Sequence, residues 1–152
     1  MYLSGKYLVS TLNSPNCPLM EYDEALNFCI QRNLKSVSVR GGLNIAAKED
    51  VFAIANLVSP GFWTNGFIKN PLQNTVYWNE FGENIIPDLW AQGQPSGPSG
   101  GPVAMMEFCV AVQKTGRTGK LHDKLCKTKM VAVCEKNSML PNLDAGFFNF
   151  SV

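Results

Sequence analysis

The sequence predicts an α+β domain in which two amphipathic helices precede a mostly antiparallel set of strands joined by long loops. Three observations carry that prediction. Apolar residues recur at helical spacing only before Pro60; after it, aromatics are separated by Gly, Asn and Pro; and five cysteines stand in a chain of 152 residues. A chain of this length buries one core and is too short for two ordinary domains.

In chain order, Tyr7-Leu8-Val9-Ser10-Thr11 is β-branched and aromatic enough for a strand, and Asn13, Ser14, Pro15, Asn16 and Pro18 supply a loop after it. From Tyr22 the spacing becomes helical. Tyr22, Ala25, Leu26, Cys29 and Ile30 share one face, and Asp23 and Glu24 sit near the start, where the helix dipole favours acids. After Val37-Ser38-Val39 and the Gly41-Gly42 break, Ala46 to Val58 aligns Val51, Ile54, Ala55 and Val58, and Ser59-Pro60-Gly61 ends this second helix. Phe62-Trp63, Val76-Tyr77-Trp78, Val103 to Val112 and Met130 to Cys134 are the strand candidates. Gly93 to Pro102, built from Gly, Pro, Ser and Gln, is a long loop by composition.

The charge balance narrows the function classes. Thirteen Lys and Arg against 12 Asp and Glu leave a weak overall field, so nucleic acid is not an expected partner. No apolar run approaches the roughly 18 to 20 residues of a membrane span, so membrane insertion is not expected. Met1-Tyr2-Leu3-Ser4-Gly5-Lys6 lacks the features of a secretory signal, so a secreted protein with this sequence is expected to be a mature form. The cysteines suggest an oxidising compartment, and their odd number leaves one thiol free or joined to another chain.

From Lys6 to Glu135 the chain resembles the C-type lectin-like domains. Lys6-Tyr7-Leu8-Val9-Ser10 is similar to their opening strand, and Tyr22-Asp23-Glu24-Ala25 followed by Cys29 to their first-helix pattern. Phe62-Trp63-Thr64-Asn65-Gly66 resembles the central strand, especially in arthropod members, and Trp90-Ala91-Gln92-Gly93-Gln94-Pro95 the start of the long ligand-binding loop. Glu107-Phe108-Cys109-Val110, Gly119-Lys120-Leu121-His122-Asp123, Cys126 and Val133-Cys134-Glu135 complete the ordered set. The resemblance implies one domain over residues 1–136 with a tail over 137–152, and the disulfides Cys29–Cys134 and Cys109–Cys126. Chain-entropy arguments favour such ties, since closing a loop of about a hundred residues is worth roughly 4.7 kcal/mol and one of 15 to 20 residues about 3. The alternative, buried free thiols of a cytosolic protein, finds no support in a zinc spacing or a Cys-x-x-Cys motif.

The resemblance also implies a secreted, non-enzymatic recognition module of the innate-immunity type that binds glycans or glycoproteins. Sugar-binding members of the family hold a calcium ion through a triplet centred on proline, a downstream Glu and an Asn-Asp pair. By motif, these positions are Gln94 and Ser96 around Pro95, then Glu107, then His122 and Asp123. Calcium wants six to eight oxygens, carboxylates among them. Ser96 offers a weak hydroxyl where the family has a carboxylate or amide, and His122 offers a nitrogen suited to softer metals. Gln94, Glu107 and Asp123 therefore stand as the surviving loop ligands, in a loop lengthened by Gly, Pro and Ser, and calcium binding is expected to be weak or lost. Trp63 and Trp90 fall at core positions of the family, whereas Trp78 is open as a stacking platform. No nucleophile-base pair is evident in the sequence. Cys17, outside the paired set, is a free thiol, a glutathione-capped one or, as favoured here, an interchain link to a dimer. Asn149-Phe150-Ser151 is a glycosylation acceptor sequence. A calcium-independent protein-binding domain is the second reading, and a hydrolase, a transferase or an ice- or mineral-binding surface are more distant ones.

Overall fold

Each central strand carries two sets of apolar side chains, one per face, and this double alternation places the sheet between two helical layers. The structure is a computed structural model and describes residues 2–3, 6–13, 16–39, 45–70, 75–78, 89, 91–92 and 108–136. The elements run β1 (Tyr2–Leu3), β2 (Tyr7–Val9), α1 (Ser10–Asn13), α2 (Tyr22–Ile30), β3 (Lys35–Ser36), α3 (Ile45–Ala53) with a 3-10 turn at Ile54–Asn56, β4 (Phe62–Asn70), β5 (Thr75–Trp78), β6 (Phe108–Thr115), β7 (Thr118–Leu125) and β8 (Val131–Glu135). The sheet order is β1-β2-β8-β4-β6-β7, with β3 also on β8 and β5 also on β4. The β4–β8 pair is parallel, and the other pairs are antiparallel.

On one face Val9, Phe62, Val110, Val112, Leu121, Val131 and Val133 meet Val51, Phe52, Ile54 and Ala55 from α3 and its 3-10 extension. On the other, Trp63, Cys109, Ala111 and Ala132 meet Tyr22 and Ala25 of α2 together with Met20 and Met130. Trp63 is fully buried, its indole N–H donates to the Met20 carbonyl at 2.9 Å, and the Tyr22 ring stands edge-on to it at 5.5 Å. This is the core role expected for that residue. Trp90 lies outside the described residues, as does the side chain of Trp78.

The α2 start owes more to Glu24 than to dipole preference alone. Its carboxylate accepts the Glu21 backbone N–H at 2.9 Å and the Lys129 ammonium at 3.2 Å. The backbone N–H, and secondarily Lys129, hold this carboxyl below its usual range. Of the expected apolar face of α2, Tyr22, Ala25 and Cys29 are buried, but Ile30, the last residue of the helix, is 65% exposed. Ser10 and Thr11, read as strand, instead open the helical turn α1. The Ser10 hydroxyl accepts the Ala132 N–H at 3.1 Å, a bond that a straight continuation of β2 would not make. The second helix is α only to Ala53, and Val58, expected on its buried face, is half-buried beyond the 3-10 turn.

Two disulfides form, as the resemblance implies, one between a helix and the sheet and one within the sheet. Cys29–Cys134 ties the C-terminal end of α2 to β8 across 105 residues, and Cys109–Cys126 closes the base of the β6–β7 hairpin across 17. At the other end of that hairpin, Thr115 and Thr118 pair around a two-residue loop in which Gly116 takes φ 72°, the positive value that a tight hairpin turn requires.

Replacing Cys29 and Cys134 together by Ala is expected to lower stability by about 2 to 5 kcal/mol, seen as a large drop in the thermal midpoint; an unchanged melt would mean that the bridge does not form in solution. Gly119→Ala is expected to cost about 1 to 3 kcal/mol by overpacking, since a Cβ there would lie 2.8 Å from the Phe52 carbonyl oxygen and 2.9 Å from the Ala55 Cβ, besides meeting Val112. Chemical denaturation of the variant checks this.

Candidate functional site

The residues that the resemblance assigns to ligand binding divide sharply. Gln94, Pro95, Ser96 and Glu107 lie outside the described residues, and His122 and Asp123 lie inside them, on β7. They do not belong to a loop, as the sequence suggested, but to the second strand of the β6–β7 hairpin.

Alternation along β7 separates the two side chains. Gly119, Leu121 and Asp123 are buried, whereas Thr118, Lys120, His122 and Lys124 are half-exposed. Asp123 is opposite Val110 and His122 opposite Ala111, so the carboxylate takes the face of the α3-side core and the imidazole takes the other. At 7% exposure Asp123 is the one carboxylate buried among the described residues. A carboxylate hidden to that degree is costly unless hydrogen bonds or a cation compensate it, so its surroundings matter more to its role than those of any surface acid.

His122 is held on its own face. Its Nε2 is 3.1 Å from the Thr115 hydroxyl. Burial pushes the imidazole below its ordinary value and the Lys124 charge pushes the same way, with Asp123 offsetting part of the shift. A hydroxyl beside an imidazole is the first contact of a nucleophile-base pair, but such a pair also needs a carboxylate to orient the base, and the adjacent Asp123 lies on the opposite face of the strand.

For calcium, Asp123 is the residue of β7 with the right donor chemistry, whereas His122 offers a nitrogen already engaged by Thr115. Among the described residues no group of three or more His, Cys, Asp or Glu is placed to hold a metal ion. The described part of the site therefore offers one hard oxygen donor, Asp123, and no coordination sphere.

A second polar group, which sequence reasoning missed, brackets the meeting of β2, β3 and β8. Glu135 accepts from Lys35 at 3.3 Å and from the Ser38 hydroxyl at 3.4 Å, and it pairs across the strand with Tyr7. Burial first, and then the Glu135 and Asp50 charges, push the Tyr7 phenol up to about 12. Asn65 is a second miss. β4 and β6 slip out of register between Trp63 and Phe67, and side chains fill the break: Thr64 donates to the Val110 carbonyl at 2.7 Å and accepts the Gly66 N–H, while the Asn65 amide donates to the Ser36 carbonyl at 3.2 Å. The polar Thr64-Asn65-Gly66 inside an apolar strand was the available signal.

No family model matches the chain, and no curated protein sequence does. Solved structures match its fold. The C-type lectin TC14 from the tunicate Polyandrocarpa misakiensis has a TM-score of 0.61 at 22% identity, covering 87% of this chain and 97% of that one. The C-type lectin domain of murine dendritic cell inhibitory receptor 2, in complex with N-glycan, has a TM-score of 0.58 at 17% identity over 84% and 87% of the two chains. An SPL-1–GlcNAc complex has a TM-score of 0.59 at 18% identity over 89% and 90%. The chain thus has the C-type lectin-like fold, as the sequence motifs implied.

His122 is the one histidine of the chain, so it alone among side chains with ordinary values titrates near pH 6.5. Its folded-state value lies below the unfolded one, so the unfolded chain binds the extra proton, and stability is lost as pH falls through the imidazole range. The thermal midpoint is expected to fall between about pH 7.5 and 5.5, and His122→Gln is expected to flatten that dependence. An equal slope in the variant would remove His122 as its source.

Proposed function

We propose that this chain is an extracellular recognition module that binds carbohydrate or glycosylated surfaces. The observation that carries the reading is the C-type lectin-like fold, closed by both disulfides, with Asp123 buried at the β7 position where the resemblance puts a ligand for the calcium ion. Two of the structurally similar proteins are complexes with N-glycan and GlcNAc, which supports a sugar as the ligand class. The disulfides favour an oxidising compartment, and no helix of the described residues is long and apolar enough to cross a membrane. An innate-immunity setting and a non-enzymatic role belong to this proposal.

Calcium, when bound, would lend its charge and open coordination positions to sugar hydroxyls. Asp123 would hold it, together with Gln94 and Glu107, and Pro95 and Ser96 would border the ligand, while His122 stands on the other face of β7. With His122 turned to the other face, the set loses one member of the family pair, so calcium binding is proposed to be weak, with a dissociation constant of about 10⁻⁴ to 10⁻³ M or above. The same observation favours a second reading, a calcium-independent domain that binds protein.

Glycan-array binding measured in millimolar calcium and in excess chelator separates the two readings. The first expects binding that chelator removes and calcium restores. It also expects Asp123→Asn, which preserves side-chain volume inside β7, to weaken calcium binding by at least the roughly 10- to 100-fold known for losses around metal sites. Calorimetry that shows micromolar or tighter calcium binding would sink the weak-site proposal, and a protein ligand that binds unchanged in chelator would favour the second reading.

Cys17 is unpaired and half-buried beside the Trp63 core. We propose it as the link of a disulfide dimer. Non-reducing electrophoresis is expected to show a dimer band that Cys17→Ser removes, and a wholly monomeric protein with one titratable thiol would end the idea.

A further inference from the structure

The overall charge of +1 hides a strong local asymmetry. Between Lys114 and Lys129 stand six of the 13 cations, Lys114, Arg117, Lys120, Lys124, Lys127 and Lys129, against one acid, Asp123. That acid is buried on the opposite face of β7 and screens the outer face poorly. Lys129 is committed to Glu24. The other five have no carboxylate in ion-pair contact among the described residues.

The fold arranges these cations in a line. β7 ends the path of the sheet, and Lys120 and Lys124 stand four residues apart on its half-exposed face, about 13 Å along the strand. Arg117, exposed at the hairpin turn, extends the line at one end, and Lys127, exposed after the Cys109–Cys126 closure, extends it at the other. The hairpin is stiff, pinned at its base by the disulfide and at its tip by the tight turn, and the Lys120 ammonium lies 5.7 Å from the Phe52 ring centroid. Pre-positioned charges lose less entropy on binding than charges on a flexible tail.

We propose that this edge, formed by Arg117, Lys120, Lys124 and Lys127, binds a linear sulfated polysaccharide independently of calcium. A narrow row of cations on one strand edge fits an extended polyanion better than a globular or planar acidic surface. From Cys109 to Met130 there is no Phe, Tyr or Trp, so the row lacks the large aromatic platforms typical of single-stranded nucleic-acid binders, with His122 its one aromatic ring. The row runs along the rim of β7, with the Lys120 ammonium turned toward Phe52 of α3, and none of its members is a proposed calcium ligand, so it does not rest on the calcium-dependent reading.

The test is heparin-affinity chromatography of the whole chain in excess chelator, with a salt gradient. The wild type is expected to be retained at about 0.15 M salt, where exposed charges are already screened beyond about 8 Å, and to elute above it. Lys120→Gln with Lys124→Gln, and separately Arg117→Gln with Lys127→Gln, are expected to elute below it, whereas Lys6→Gln with Arg32→Gln removes the same charge from exposed positions outside β7 and is expected to elute close to wild type. The Arg117 and Lys127 pair keeps the test alive should loss of the Lys120 contact with Phe52 disturb the fold, and the melt of each variant reports that. Equal loss of retention in all three double variants would reduce the effect to net charge and overturn the proposal, as would wild-type flow-through at 0.15 M salt or tighter binding to single-stranded DNA than to heparin.

Discussion

Strand β8 is the constraint from which the rest of the domain follows. It pairs with β2, β3 and β4, places Val131 and Val133 in one core and Ala132 in the other, and carries Cys134 to the bridge with α2. It draws together segments more than a hundred residues apart, Tyr7 facing Glu135 and Leu8 facing Cys134. Contacts of such high sequence separation are entropically the hardest to close, and the Cys29–Cys134 bridge removes much of that cost from the unfolded chain. With β8 in place, the β4 segment has a parallel neighbour, the β6–β7 ribbon has β4 to lean on, and α2 has a face to cover.

Much of this was legible in the sequence wherever a periodic pattern coincided with burial. Tyr22, Ala25 and Cys29 announced a helix, and Phe62-Trp63 and Val131 to Cys134 announced strands, because those segments are apolar enough to state their own environment. β7 was not legible as a strand. Its inner positions are Gly119, Leu121 and Asp123 and its outer ones Lys120, His122 and Lys124, a set with little intrinsic strand preference that is held extended by the whole length of its pairing with β6. Context overrode propensity there, and the only advance notice was the ordered motif Gly119 to Asp123.

The candidate site was legible as chemistry and not as geometry. The sequence names His122 and Asp123 as neighbours; the strand makes neighbours point apart. Whether two adjacent residues share a ligand depends on the period of the backbone that carries them, and a loop and a strand give opposite answers for the same dipeptide. The Thr115 hydroxyl, seven residues before His122, could be assigned to the imidazole only once the hairpin register was known.

That same geometry gives one strand two electrostatic faces, and the magnitudes decide whether they act together. A divalent cation at Asp123 and an anion at the outer lysines would be separated by roughly 10 Å, the distance across a sheet with its side chains. In water, two charges interact with one at that distance by about 0.8 kcal/mol, and screening over a Debye length of about 8 Å reduces this to about 0.2 kcal/mol. A lower effective dielectric across the strand raises the figure several-fold, but β7 is an edge strand, and solvent reaches its outer face at Lys120, His122 and Lys124. The coupling therefore lies between about 0.2 kcal/mol and the roughly 1 kcal/mol that an effective dielectric of about 20 gives for the same screened charges, about fivefold in binding at most. A ligand on the outer face gains no more than that from the state of the inner one, so an edge strand at the rim of the sheet can carry two recognition surfaces that are only weakly coupled.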